Sequence, residues 1–268
     1  MAQESNLPVV GGLRLSASQQ GDESRMTTAT YERAQADSLR EVEHRPWPLP
    51  RAPWVMGQTW ERLLFAHWRV STEALRPHVP SRLEIEEFDG SAWIAATPFR
   101  LAALRVRGVP ALPRVSSMCE LNCRTYVRRG QRPGIWFFSL DASNLIAAHV
   151  ARLTYGLPYH HASITFDGET FSAVREGPDM SFVASYRAAG AAFEPEPSTL
   201  EHFLVERYCL YGAGGWVRSD IHHRPWSIQP AEAALDEAGL FPIEVDGEPL
   251  LHLGERQDVV IWPPAPSR

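Results

Sequence analysis

Glu120-Leu-Asn-Cys-Arg-Thr-Tyr126 is the stretch from which the architecture of this chain can be argued. Successive side chains of a β-strand point to opposite faces. Glu120, Asn122, Arg124 and Tyr126 therefore share one face, and Leu121, Cys123, Thr125 and Val127 share the other. An apolar row backed by acid, amide, base and phenol has two readings. The polar row either faces water or lines an internal cavity walled by a closed sheet. Pattern alone leaves both open.

Outward from this strand the signal is mainly β. Residues 119–127, a turn at 128–134 and residues 135–140 read as a hairpin, and 83–88, Asp89-Gly90 and 91–99 read as another. Further strands are expected at 162–166, 170–176, 180–187 and 215–223, with a last one near 259–262. Helical spacing covers 142–155, with Gly156 as the residue that ends the helix and Pro158 as its stop. Shorter helices are expected at 71–78, where Ser71 or Thr72 caps the start, and at 198–208. Regular strands with few long helices predict a mainly β (α+β) barrel or sandwich with peripheral helices.

Residues 1–43 read as a polar extension, largely disordered, with a short helix over 31–42; Met26 is an alternative start. The run HRPWPLPRAP (44–53) holds four prolines, so it is neither helix nor central strand. It marks the start of a single domain over 44–268. The three cysteines, Cys119, Cys123 and Cys209, are too few and odd in number for a disulfide framework. The formal net charge of −6 argues against a nucleic-acid footprint. No apolar run approaches the ~20 residues that span a bilayer, and the start lacks a signal-peptide pattern. A cytoplasmic protein with a small-molecule substrate or ligand, and neither nucleic-acid nor membrane partners, is the expectation.

All 26 basic side chains are arginine. A desolvated lysine amine can attack a carbonyl to form a Schiff base, whereas guanidinium stays protonated and cannot. Only the α-amino group of the chain is left as an amine.

The order of elements from Cys119 to Ala162 resembles the acetoacetate decarboxylase superfamily. A Glu-bearing strand, a turn, an aromatic strand ending in Asp141, a helix and Gly-x-Pro (156–158) follow one another. From about His44 to Pro264 the chain looks closer to the YqjF-like branch, a family of uncharacterised function. The marks are RPWPLPRAPW (45–54), LLFAHW (63–68), ELNCRTYV (120–127), YGLPY (155–159), ERYCLY (206–211) and IHHRPW (221–226). The resemblance implies an acetoacetate decarboxylase-like antiparallel, cone-shaped barrel enclosing a cavity, with the Glu120 face turned inward. It also implies a homo-oligomer, and it puts His67 and Arg69 near where relatives carry a cavity arginine.

Decarboxylases of the superfamily carry two adjacent lysines after Gly-x-Pro; here Tyr159, His160 and His161 stand there. Amine catalysis is excluded at that position. The replacement points to acid/base chemistry by Glu120, with His160 and Tyr159 as proton partners, because burial raises a carboxyl pKa. Arg124 is expected to hold a substrate carboxylate through paired hydrogen bonds. Asn122, Tyr126, His161 and His222 complete the expected substrate contacts. Tandem histidines on a strand face opposite ways, so at most one of His160 and His161 enters a cavity.

Isomerase, hydratase, lyase or cyclase chemistry on a small carbonyl or carboxylate compound all fit, and no cofactor is implied. The rival is a non-catalytic ligand-binding barrel in which Glu120 and Arg124 form an internal ion pair; a structural or partner-interaction protein is a third reading. His222-His223 with His160 lacks metal-ligand spacing, no G-x-S-x-G elbow occurs, and Gly212-Ala-Gly-Gly215 lacks a following helix.

Overall fold

The computed structural model describes residues 27–112, 116–175 and 180–267. The strands are β1 (Met56–Val70), β2 (Glu84–Ile85), β3 (Ala92–Val106), β4 (Met118–Arg129), β5 (Arg132–Ala142), β6 (Tyr159–Phe166) and β7 (Thr170–Arg175). They continue as β8 (Met180–Ala188), β9 (Cys209–Gly212), β10 (Val217–His222), β11 (Ile228–Ala238), β12 (Leu250–Ile261) and β13 (Ala265–Pro266). Four α-helices accompany them: α1 (Thr28–Asp37), α2 (Thr72–Leu75), α3 (Leu145–Tyr155) and α4 (Leu200–Val205). None among the described residues is long and apolar enough to cross a membrane.

The sheet closes on itself twice. One circuit runs β5-β6-β7-β8-β11-β12-β1-β3-β4 and returns to β5. A smaller one runs β5-β9-β10-β12-β1-β3-β4 and returns to β5. Strands β12, β1, β3, β4 and β5 are common to both and form a wall between two interiors. All junctions are antiparallel except β5 with β6 and β5 with β9, which are parallel.

The β4–β5 hairpin is tighter than expected, turning at Gly130–Gln131 with Gly130 at φ +57. The expected hairpin around Asp89-Gly90 is reduced to a Phe88–Ser91 bridge, because β2 pairs with β4 instead of β3. The strand over 228–238, IQPAEAALDEA, reads as helix by propensity yet pairs with β12 over 228–230 and with β8 over 231–238. Its alternation explains why: Ala231, Ala233 and Leu235 pack on the core while Glu232 and Asp236 face out. α3 ends at Gly156, whose φ of +62 and N–H to Arg152 form the expected stop.

The two faces of the wall differ. The large circuit encloses Leu64, Ala66, Leu121, Cys123, Phe171, Ala173, Phe182 and Ala184. The small circuit encloses Phe65, Trp93, Phe99, Tyr126 and Trp226, with Ile135, Phe137, Leu140, Ile221 and Val259. A bulge in β1 keeps both Trp60 and Leu63 on that second face. Arg62, at φ +53, occupies the bulge; its carbonyl accepts from Tyr186 Oη at 2.8 Å and its guanidinium donates to Gly168 O.

Of the extension over 1–43 expected to be largely disordered, residues 1–26 lie outside the described residues. Thr27 caps α1, which starts before the expected helix and docks on β1, β3 and β12. Its buried Gln35 donates to Ala103 O and Thr59 Oγ1 and accepts from Arg105 Nε. The proline-rich run then crosses β9 and β10 as a strap. Arg45 donates to Ile221 O at 2.8 Å and His222 Nδ1 at 3.2 Å, and Trp47 Nε1 donates to Asp220 at 2.8 Å. His222 in turn meets Ser38 O through Nε2 at 2.9 Å.

Two predictions follow from this packing. A methyl group on Gly134 would sit 2.7 Å from Cys209 Sγ and 2.8 Å from Cys209 O at the parallel β5–β9 junction. Gly134→Ala should therefore cost about 1–3 kcal/mol in chemical denaturation. Burial beside Arg45 depresses the His222 pKa to about 4. The unfolded chain binds this proton below its ordinary value near 6.5, so the contribution of neutral His222 is full above that and declines as pH falls toward 4. The loss should reach roughly 1.4 kcal/mol per pH unit, and His222→Gln, which keeps an acceptor and a donor, should flatten it.

Candidate functional site

The polar row of β4 faces the small interior. Glu120 opposes Phe99 on β3 and Ala142 on β5, and Asn122 opposes Thr97 and Leu140. Tyr159 is paired in parallel register with Leu140, which gives it the same face. Its hydroxyl donates to the Glu120 carboxylate at 3.3 and 3.4 Å. Glu120 is 3% exposed. Burial pushes its pKa up to about 7, with the Asp141 charge adding to the rise and hydrogen bonds from Asn122 and Tyr159 opposing it. Burial and the neighbouring Glu120 charge push the Tyr159 phenol well above the ordinary tyrosine value. The pair therefore has a carboxyl that exchanges its proton near neutral pH beside a phenol that keeps its own.

Further along the same face Arg124 is 7% exposed, with its guanidinium carbon 5.5 Å from the Phe65 ring centroid and 6.0 Å from that of Tyr126. Glu120 and Arg124 stand four residues apart on an extended strand, about 13 Å at 3.3 Å per residue. They do not form an ion pair, and among the described residues no carboxylate neutralises Arg124. Tyr126, fully buried, meets His67 Nε2 at 2.7 Å through its hydroxyl. His67 comes from β1 and His252 from β12, both on the interior face through the pairings of His67 with Ala95 and of His252 with Phe65.

Several buried polar atoms in this region have no partner among the described residues: Arg124 Nε, Asn122 Oδ1, His67 Nδ1, His252 Nδ1 and Trp93 Nε1. Buried polar groups are nearly always hydrogen-bonded, so a concentration of unpartnered ones on one interior face makes that face the candidate site. α4 covers this end, with Phe203 5.4 Å from the Tyr126 ring and Leu204 and Val205 packed in the same cluster.

The remaining expected residues are placed elsewhere. His160 pairs with Asp141 in register and faces the large interior, beside the bidentate ion pair of Arg175 with Asp141 (2.7 and 2.6 Å). It is therefore not the proton partner of Glu120; Tyr159 alone holds that position, because the parallel register puts the phenol and not the imidazole on the Leu140 face. His161 is exposed and contacts no part of the row. His222 is fully buried under the strap and stacks on His44 at 5.6 Å, so it is a structural contact and not a substrate ligand. Arg69 stacks over Trp93 at 4.9 Å. His252 and Trp93 carry no local motif, and only their strand pairings bring them to the row.

Between its contacts with β9 and β6, β5 leaves residues 137–139 without a strand neighbour on that edge. A surface cleft of about 450 Å³ lies there, lined by Trp136, Phe137, Phe138, Arg152, Leu157 and Pro158 among others. Phe137 and Leu157 also belong to the apolar cluster on which Tyr159 packs.

Known proteins share the family and the fold. A family model described as an uncharacterised conserved protein, DUF2071, matches residues 57–258. The uncharacterised protein YqjF of Bacillus subtilis (strain 168) is 41% identical over 228 residues, covering 80% of this chain and 93% of that one. Among solved structures, an acetoacetate decarboxylase-like enzyme from Sphingomonas wittichii RW1 aligns with a TM-score of 0.57 at 14% identity, covering 84% of this chain and 98% of that one. The enduracididine biosynthesis enzyme MppR, complexed with the condensation product of pyruvate and imidazole 4-carboxaldehyde, aligns with a TM-score of 0.57 at 11% identity, covering 80% and 90%. Acetoacetate decarboxylase from Legionella pneumophila aligns with a TM-score of 0.56 at 11% identity, covering 86% and 94%. The chain belongs to the DUF2071 family, which includes YqjF, and it has the acetoacetate decarboxylase-like fold.

Proposed function

We propose that this protein is an enzyme that moves a proton at the carbon next to a carbonyl in a small carboxylate-bearing compound. Glu120 is the acid/base group, Tyr159 the phenol that hydrogen-bonds it, and Arg124 the cation that holds the carboxylate. The observation that carries the reading is the pairing on one interior face of an un-neutralised, buried guanidinium with a carboxyl whose pKa is about 7. A buried cation without a counter-ion is costly, and an anionic ligand relieves that cost. A carboxyl titrating near neutral pH is suited to both accept and return a proton.

The fold supports an enzyme, since neighbours of this architecture include acetoacetate decarboxylase and MppR, the latter crystallised with pyruvate. The route differs from that of a lysine enzyme. All 26 basic side chains here are arginine, and the position after Gly156-Leu157-Pro158 presents a phenol. Removing a proton next to a carbonyl gives an enolate, the shared first step of isomerase, hydratase, lyase and cyclase reactions on such compounds. A non-catalytic carrier would use Arg124 but has no need of a carboxyl poised at neutral pH.

The test is deuterium exchange at the carbon next to the carbonyl, followed by NMR in D₂O with a panel of small oxo acids. Wild-type protein should catalyse exchange in at least one. The rate should rise with pH through about 7, as Glu120 changes from neutral acid to base, and level off above. Glu120→Gln should lower it about 10²–10⁴-fold, the usual contribution of a positioned general base.

Arg124→Leu should lower kcat/KM roughly 10- to 100-fold through loss of a charge-assisted contact of about 1.5–3 kcal/mol, mainly through KM. Full exchange activity in both variants, or no exchange of any oxo acid by the wild type, would overturn the assignment.

A further inference from the structure

The hydrogen-bond chain on the Tyr126 hydroxyl fixes where the hydrogen of His67 must be. Among the described residues the Tyr126 hydroxyl has one hydrogen-bond partner, His67 Nε2, and the guanidinium groups beside its ring, those of Arg124 and Arg207, can only donate. Burial keeps Tyr126 protonated, so its hydrogen is directed to the one acceptor in reach, His67 Nε2 at 2.7 Å. His67 has no exposed surface; burial, with Arg124 and His252 nearby, holds its pKa well below the ordinary value, so the ring is neutral. A neutral imidazole that accepts at Nε2 carries its hydrogen on Nδ1. That nitrogen is buried and has no partner among the described residues.

The ring cannot easily turn to hide it. His67 stacks on Phe65 at 5.9 Å with an interplanar angle of 9°, and Phe65 in turn lies under the Arg124 guanidinium at 5.5 Å. A neutral N–H and a guanidinium N–H, both without a partner among the described residues, thus lie against one phenyl ring on one interior face. From this we infer that His67 is a further substrate-contacting residue: its Nδ1–H donates a hydrogen bond to the carbonyl oxygen of the compound whose carboxylate Arg124 holds, and Tyr126 is the positioning residue that sets the tautomer. The inference rests on the proposed carboxylate-binding role of Arg124.

The chemistry requires no proton from His67. When Glu120 takes a proton from the carbon next to the carbonyl, the electron pair of the C–H bond moves into the carbonyl and negative charge develops on its oxygen. A fixed, neutral donor aimed at that oxygen stabilises the charge as it forms.

The experiment is ¹⁵N and ¹H NMR of histidine-labelled protein, titrated with pyruvate and, separately, with propionate, which has the carboxylate but no carbonyl. The expected result is a free protein with His67 protonated on Nδ1, a preference lost in Tyr126→Phe. Pyruvate should shift the Nδ1–H resonance and the pyruvate carbonyl ¹³C resonance, and propionate should leave Nδ1–H in place. His67→Phe should weaken pyruvate about 10-fold and leave propionate unchanged.

A hydrogen on Nε2 in the wild type, absence of saturable pyruvate binding, or an Nδ1–H resonance that ignores bound pyruvate would overturn the role of His67. Arg124→Leu separates the two layers. If it leaves pyruvate affinity unchanged, the carboxylate reading of Arg124 is wrong; if it weakens pyruvate at least 10-fold while His67 stays silent, only the His67 assignment is wrong.

Discussion

Strand β4 belongs to two closed circuits at once, and this sharing governs the rest of the molecule. In an ordinary sandwich one face of a strand meets the core and the other meets water, so polar residues have an obvious destination. Here both faces of the wall are enclosed. Glu120, Asn122, Arg124 and Tyr126 are all buried, as are Leu121, Cys123 and Val127 behind them. The polar row is therefore held away from bulk solvent, and the Glu120 carboxyl, the His67 imidazole and the Tyr126 phenol are all driven toward their neutral forms.

Arg124 is the exception, because a guanidinium stays charged. Its separation from Glu120 is a matter of strand geometry: two residues apart on the same face would put them side by side, whereas four leaves Asn122 between them. Nor do the acids of the opposite compartment help, since Asp141 is engaged bidentately by Arg175. Each interior thus keeps its own charge arrangement: Asp141 with Arg175 in one, and in the other Glu86 with Arg207 beside Tyr126, with Arg124 left without a carboxylate partner among the described residues.

The sequence made some of this legible. Period-two alternation gave the β4 faces, the β4–β5 hairpin and the membership of the polar row, and Gly156 marked the end of α3. Other parts depended on pairings that no local pattern encodes. The Ala- and Glu-rich β11 is strand because β8 pairs with it, so tertiary context overrides propensity. Tyr159 and His160 are adjacent, and only their parallel register with Leu140 and Asp141 decides which interior each enters. His67 and His252 lie far from the row in sequence and reach it through β1 and β12. His222 looked like a ligand because histidine so often is one; the strap that covers it comes from a segment more than 170 residues away.

A wall one residue thick also restricts how the gene can vary. Substitutions leave the assignment of side chains to the two interiors intact, but deleting or inserting one codon between Glu120 and Tyr126 would exchange them, turning the acid and guanidinium toward Phe171 and Phe182. Length change is tolerable only where a bulge absorbs it, as Phe138 does between the pairings of Cys123 with Ser139 and Arg124 with Phe137. Lineages descended from this barrel should thus diversify their reactions by swapping letters in β4 while holding its spacing fixed.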